Sequence, residues 1–320
     1  MRISRICCTA SATLAVLVAP AFAQDAPQPL EATRAPDVGD EVVVRGRRMS
    51  DIEDGLRVEI GKFIGEIAAT PAGRGFARWN GRVCVGVHNL ENTAAQYIVD
   101  RVSRLALEVG LRPGEPGCSP DVIIIFTTDG RELATYLVED EPKLLRPTGE
   151  GGVHRGLAGL DKFAESDKAV RWWQLSMPVS AQSGITAIEL PNGLGPPVIP
   201  VAGPSRIHSG IVDALQRVII IVDSTKLTGT TWQQLGDYIA VVSLAQVDLE
   251  TNPTAFDSIL NLFTNPAAYT GLTDWDRTYM QALYQFDQER NPNLQRGALT
   301  GEMLRLELEP EPDPDPEADE

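Results

Sequence analysis

Residues 230–247 read TTWQQLGDYIAVVSLAQV, and how this stretch folds decides the architecture of the chain. Thr230 with Gln233, or Thr231 with Gln234, makes a capping box, in which a threonine hydroxyl and a glutamine amide satisfy each other's backbone N–H groups at a helix start. The body that follows, residues 232–247, is apolar on nearly every face. A helix of that kind is buried on all sides instead of lying on a surface. Its polar interruptions are Asp237, Ser243 and Gln246. A buried carboxylate needs a partner, because an unpaired charge away from water is very costly. The stretch therefore carries chemistry or fills a core, and its surroundings must decide which.

Immediately upstream, RVIIIVD (residues 217–223) is a continuous apolar run, as is DVIIIFT (residues 121–127). Such runs predict strands buried on both faces. WNGRVCVGV (residues 79–87) and AVRWWQLS (residues 169–176) also read as strands. Residues 49–68 place Ile52, Leu56, Ile60, Phe63, Ile64 and Ile67 on one helical stripe, with Ser50 as N-cap. Residues 91–111 place Ala94, Tyr97, Ile98, Val102, Leu105 and Leu107 on another, closed by Gly110. GRELATYLV (residues 130–138) is a short helix, and Pro/Gly-rich loops such as LPNGLGPPVIPVAGPS (residues 190–205) separate the elements. Strand, helix, strand, helix, further strands and then helices predict an α+β (mixed α/β) fold. Residues 49–304 form one domain, long enough for a full core.

The two ends read differently. Residues 1–23 carry Arg2 and Arg5, then a short apolar run, then AFA before Gln24, the pattern of a secretory signal peptide cut after Ala23. Localisation is therefore expected to be periplasmic or secreted, with no membrane span in the mature chain. Residues 24–48 are a Pro/Ala/Asp-rich linker ending in EVVVRGRR, a strand or tether. Cleavage leaves Cys84 and Cys118, which in an oxidising compartment pair as one disulfide; a catalytic thiol is the sharper alternative, but no histidine motif accompanies either cysteine. The formal charge of −16 becomes −18 once Arg2 and Arg5 are lost. Such a chain repels nucleic acid and anionic lipid. Residues 305–320, ending in ELEPEPDPDPEADE, alternate acids with proline and are expected to be a disordered, solvating tail.

With these elements in place, the C-terminal half resembles the catalytic half of zincin metallopeptidases, the metzincin and matrixin branch in particular. LTDWDRTYMQALY (residues 272–284) resembles the closing helix of that group, with Thr273 as N-cap and Asp276 in the first turn. SILNLF (residues 258–263) resembles its Met-turn segment, with Leu260 at the methionine position. The resemblance implies a twisted mixed sheet, a buried central helix and a C-terminal helical part. It also implies H-E-x-x-H-x-x-G-x-x-H, three imidazoles holding zinc and a glutamate activating its water. The best register instead puts Gly236, Asp237, Ala240, Ser243 and Gln246 at the five defining positions. Only Asp237, in place of the glutamate, keeps a chemical likeness, so no metal and no cofactor is expected. The chain is also similar to a family of secreted bacterial proteins, related to zincins, in which the histidines are eroded and the Ser-Ile turn remains.

Other constellations are sparse. The histidines, His88, His154 and His208, stand far apart, and none lies one turn from another. Arg206 and His208, in the polar loop PSRIHSG, are candidate contacts for an anionic or peptide ligand; a plain turn into the next strand is the competing reading. Arg171–Trp172–Trp173 is either an aromatic platform or core. No G-x-S-x-G elbow and no phosphate loop occurs. The sequence thus points to a non-catalytic, peptide- or protein-binding pseudo-peptidase. The alternatives are a metal-independent hydrolase using Asp237 and a structural interaction module of the envelope.

Overall fold

A computed structural model describes residues 48–70, 73–146, 156–188, 198 and 209–309, residues 156 and 157 by backbone alone. The fold is mixed α/β, as the order of elements predicts. Its centre is a four-stranded sheet of β2 (Val85–His88), β4 (Val122–Thr127), β6 (Ile211–Asp223) and β5 (Val170–Ser180), in that spatial order. β2, β4 and β6 run parallel and β5 closes the sheet antiparallel to β6. The register centres on isoleucines, with Ile124 opposite both Val87 and Ile220. A bulge between Leu175 and Ser176 in the β5–β6 pairing leaves Gln216 unmatched.

Sequence alternation places the layers. Consecutive side chains on a strand point to opposite faces. Trp172 meets Tyr238 of helix α5 (Trp232–Leu244) edge-on at 6.0 Å, while Trp173 meets Phe163 of helix α4 (Gly156–Glu165) at 6.1 Å. The sheet is therefore covered on both sides, which is why the residues of β5 are all buried. Helix α2 (Asn92–Glu108) packs beside α5, α3 (Gly130–Glu139) beside α4, and α1 (Met49–Ile67) and α6 (Asp274–Gln285) against α7 (Pro292–Leu308). Among the described residues no helix is long and apolar enough to cross a membrane.

Several boundaries differ from the sequence reading. The strand expected over residues 79–87 breaks at Cys84 into β1 (Arg82–Val83) and β2, and β1 pairs with β3 (Arg112–Pro113) in a small sheet of its own. The break serves the disulfide that joins Cys84 to Cys118. Gly114 lies against the bridge, and a Cβ there would fall 2.5 Å from the Cys118 sulfur. Helix α1 begins at Met49 with Arg48 as N-cap, so Ser50 sits inside the first turn and caps nothing. Only the second half of its stripe is buried, Ile60, Phe63, Ile64 and Ile67; Ile52 is 43% exposed. β6 starts at Ile211, ahead of the apolar run, and α7 continues to Leu308, into the residues that composition assigns to the tail.

Candidate functional site

Helix α5 is the element on which the zincin resemblance turns, and its start is fixed locally. Thr231, not Thr230, is the N-cap: its hydroxyl accepts from Gln234 N–H at 3.3 Å, and Thr231 N–H donates to Gln234 Oε1 at 2.7 Å. Gln234 also donates to the carbonyls of Pro266 and Tyr269, tying the following loop to the cap. Every residue from there to the helix end, Leu244, is buried.

A buried helix end leaves four carbonyls without intrahelical partners. In α5 these belong to Val242, Ser243, Leu244 and Ala245, and side chains satisfy all four. Gln174 Nε2 of β5 donates to Val242 O at 2.7 Å and Ala245 O at 2.6 Å. Trp79 Nε1 donates to Ser243 O at 2.8 Å and the Tyr284 hydroxyl to Leu244 O at 2.7 Å. Burial raises the Tyr284 phenol above its ordinary range, so it stays a donor. Two residues past Ala245, Trp172 Nε1 reaches Val247 O at 3.0 Å, and Val247 N–H returns to Gln174 Oε1 at 3.1 Å. The end of the helix is a closed collar of hydrogen bonds.

Asp237 stands in the middle of α5, 4% exposed. Arg101 of α2 holds its Oδ1 through Nε at 2.7 Å and through a second guanidinium nitrogen. Leu272 N–H donates to Oδ2 at 2.9 Å. Both oxygens are engaged, and the carboxylate ties α2 to α5 and to the residues leading into α6. The fit is close: a Cβ on Gly271 would fall 2.5 Å from Asp237 Oδ2.

The other positions of the zincin register are equally packed. A Cβ on Gly236 would lie 2.9 Å from Arg101 Cγ, so any side chain there would have to displace Arg101. Ala240 is 1% exposed, and Ser243, with none of its surface exposed, has a hydroxyl without a hydrogen-bond partner. Gln246 Nε2 donates to Ser176 Oγ of β5 at 3.1 Å. These residues do not fit zinc. They offer no imidazole, and the space between helix and edge strand is spanned by Gln174, Gln246 and Trp172. Among the described residues no group of three or more His, Cys, Asp or Glu side chains is placed to hold a metal ion.

SILNLF and LTDWDRTYMQALY meet in one hydrogen-bonded unit. Ser258 Oγ donates to Asp276 Oδ1 at 2.6 Å, and Ile259 N–H to Oδ2 at 2.7 Å. Thr273 and Asp276 form the capping box of α6. Burial pushes the Asp276 carboxyl above the usual carboxylate range, although these donors favour its ionised form. Leu260 is buried at 7% exposure on a single 3-10 turn. Asn261 Nδ2 holds the loop before it, at 3.0 Å from Pro253 O and 2.9 Å from Phe256 O.

Arg206, His208 and His154 lie outside the described residues. His88 is exposed at the end of β2. Trp172 and Trp173 are core side chains at 0% and 2% exposure. Their strand nevertheless borders a pocket of about 350 Å³, with Lys162 and Asp248 in its walls. The residues that sequence reading misses are Arg101, Gln174, Ser176 and Trp79. Nothing local marks them, since they act on α5 and the residues just after it from elements distant in sequence. No family model, curated protein or solved structure matches the chain.

Proposed function

We propose that the protein is a secreted or periplasmic zincin-like binding protein, a pseudo-peptidase that holds a peptide or an envelope protein without cutting it. One observation carries the reading: the end of α5, where the last zinc ligand of the motif would stand, is closed by Gln174, Trp79, Tyr284 and Trp172. A zinc peptidase needs an imidazole at that point and room beside it for the metal and its open fourth position. The scaffold likeness draws support from the buried helix after the long strand β6, and from the Ser258 turn bonded to Asp276. The compartment draws support from the leader-like residues 1–23 and from the joined cysteines. The binding mode is addition of an extended peptide along the sheet edge, where backbone hydrogen bonds supply affinity. The hydrolase alternative has less support, because both oxygens of Asp237 are occupied.

Elemental analysis of the purified mature protein after dialysis against a chelator tests the reading. Zinc well below one ion per chain is the expected result. A stoichiometric, retained zinc ion overturns it.

A further inference from the structure

β5 is an outer strand of the sheet, and its residues are buried along its whole length. Asp223 N–H donates to Ala169 O at 2.8 Å. Alternation along an antiparallel ladder then turns Arg171 and Trp173 toward β6, and the backbone groups of Val170, Trp172 and Gln174 outward. Further along, the edge is covered, with Ser180 N–H on Ile185 O and Ala187 N–H on Pro178 O, each at 2.8 Å. The first part of the strand borders the pocket of about 350 Å³ at Trp172 and Trp173. That volume is at the lower end of the range for small-ligand sites.

Four elements wall the pocket: the residues after α1, helix α4, β5 and the residues after α5. Ala68, Ala158 and Gly159 keep it roomy. Lys162 of α4 and Asp248 after α5 give it one charge of each sign, yet the two do not pair with each other. Lys162 has no ion pair among the described residues. Asp248 gives Oδ1 to Glu250 N–H at 2.9 Å. Lys168, which feels the charge of Asp248 at longer range, has its ammonium on Thr251 O at 2.8 Å and over the Trp172 ring at 5.8 Å. Opposite charges held apart across one small pocket suit a ligand that carries both. In so acidic a chain, a ligand carboxylate is favoured beside a cation such as Lys162.

We infer that this pocket binds a small zwitterion of peptide chemistry, a free dipeptide. Its carboxylate meets Lys162 and its ammonium meets Asp248. The inference rests on the peptide-binding reading above and narrows it to a ligand with both termini free.

Isothermal titration of the mature protein with alanyl-leucine, and with the same dipeptide N-acetylated and C-amidated, tests it. The free dipeptide is expected to bind, and the blocked form at least tenfold more weakly. Lys162→Ala and Asp248→Asn, checked for an unchanged melting temperature, should each weaken the free dipeptide about tenfold. Lys162→Ala should leave the C-amidated form where it was. Equal affinity for free and blocked forms, no heat from either, or indifference to both substitutions overturns the inference. If a longer blocked peptide binds where the free dipeptide does not, this inference falls and the peptide-binding reading survives. Silence from both ligands removes the two together.

Discussion

Asp237 shows how one residue decides between chemistry and scaffold. A general base needs a lone pair aimed at a cavity; the carboxylate of Asp237 spends both oxygens on Arg101 and on Leu272 N–H, and it does not line the pocket of about 350 Å³. The partners are also shut in, with Arg101 15% and Asp237 6% exposed at their side chains. Removing one member of such a pair leaves the other charge buried and uncompensated, which costs about 3 kcal/mol or more. Asp237→Asn keeps an acceptor for Leu272 N–H but strands the guanidinium. Its urea midpoint should fall by the equivalent of about 3 kcal/mol. Adding Arg101→Met should recover part of that loss, because the stranded charge goes with it. An unchanged midpoint, together with the loss of some measurable turnover, would return Asp237 to the role of a base.

At the scale of elements, α5 is held at both ends by side chains distant in sequence. Gln174 matters most, since it serves Val242 O, Ala245 O and Val247 N–H at once. Gln174→Leu keeps the volume roughly constant and leaves those three groups without partners in a dry site, each worth about 1–3 kcal/mol when unsatisfied. Relaxation will recover some of this, so a total loss of about 3 kcal/mol is expected. Amide exchange should quicken at the end of α5 and in residues 246–248 before elsewhere. Uniform exchange with no stability loss would mean that the collar is replaceable by water and that a cleft can open there. This element also marks what the sequence could reveal. The apolar runs of β4 and β6, a capping box at the start of α5 and the Thr273 cap of α6 are local patterns, so they were legible. The choice of Thr231 over Thr230 was not, because it depends on Gln234 also reaching Pro266 and Tyr269. Nor was the pairing of Asp237, since Arg101 lies 136 residues from it in the chain. The sequence shows that α5 carries no imidazole; only packing shows what surrounds its polar side chains.

For the whole molecule, the question is how the sheet's short edge is kept with the rest. β2 spans only Val85–His88, and its partner β4 is six residues long. Ladder bonds over four residues are weak support for a strand that also anchors α2. The Cys84–Cys118 bridge compensates by closing a loop that contains β2, α2 and β3. Cys84 is itself pinned to the start of β4, with its N–H on Asp121 Oδ2 at 3.0 Å and its carbonyl accepting from Val122 N–H at 2.9 Å. With a separation of 34 residues, loop entropy assigns the bridge roughly 3–4 kcal/mol. The double substitution of Cys84 and Cys118 by Ser should therefore lower the melting temperature by roughly 10 °C in a domain of this size. The far-UV spectrum should persist, because the noncovalent anchoring of Cys84 to β4 remains. Reductant should lower the wild type to the same temperature and leave the variant unmoved. A variant as stable as the wild type would mean that the backbone pairing around Cys84 already fixes this edge alone, and that the bridge adds no constraint the folded chain lacks.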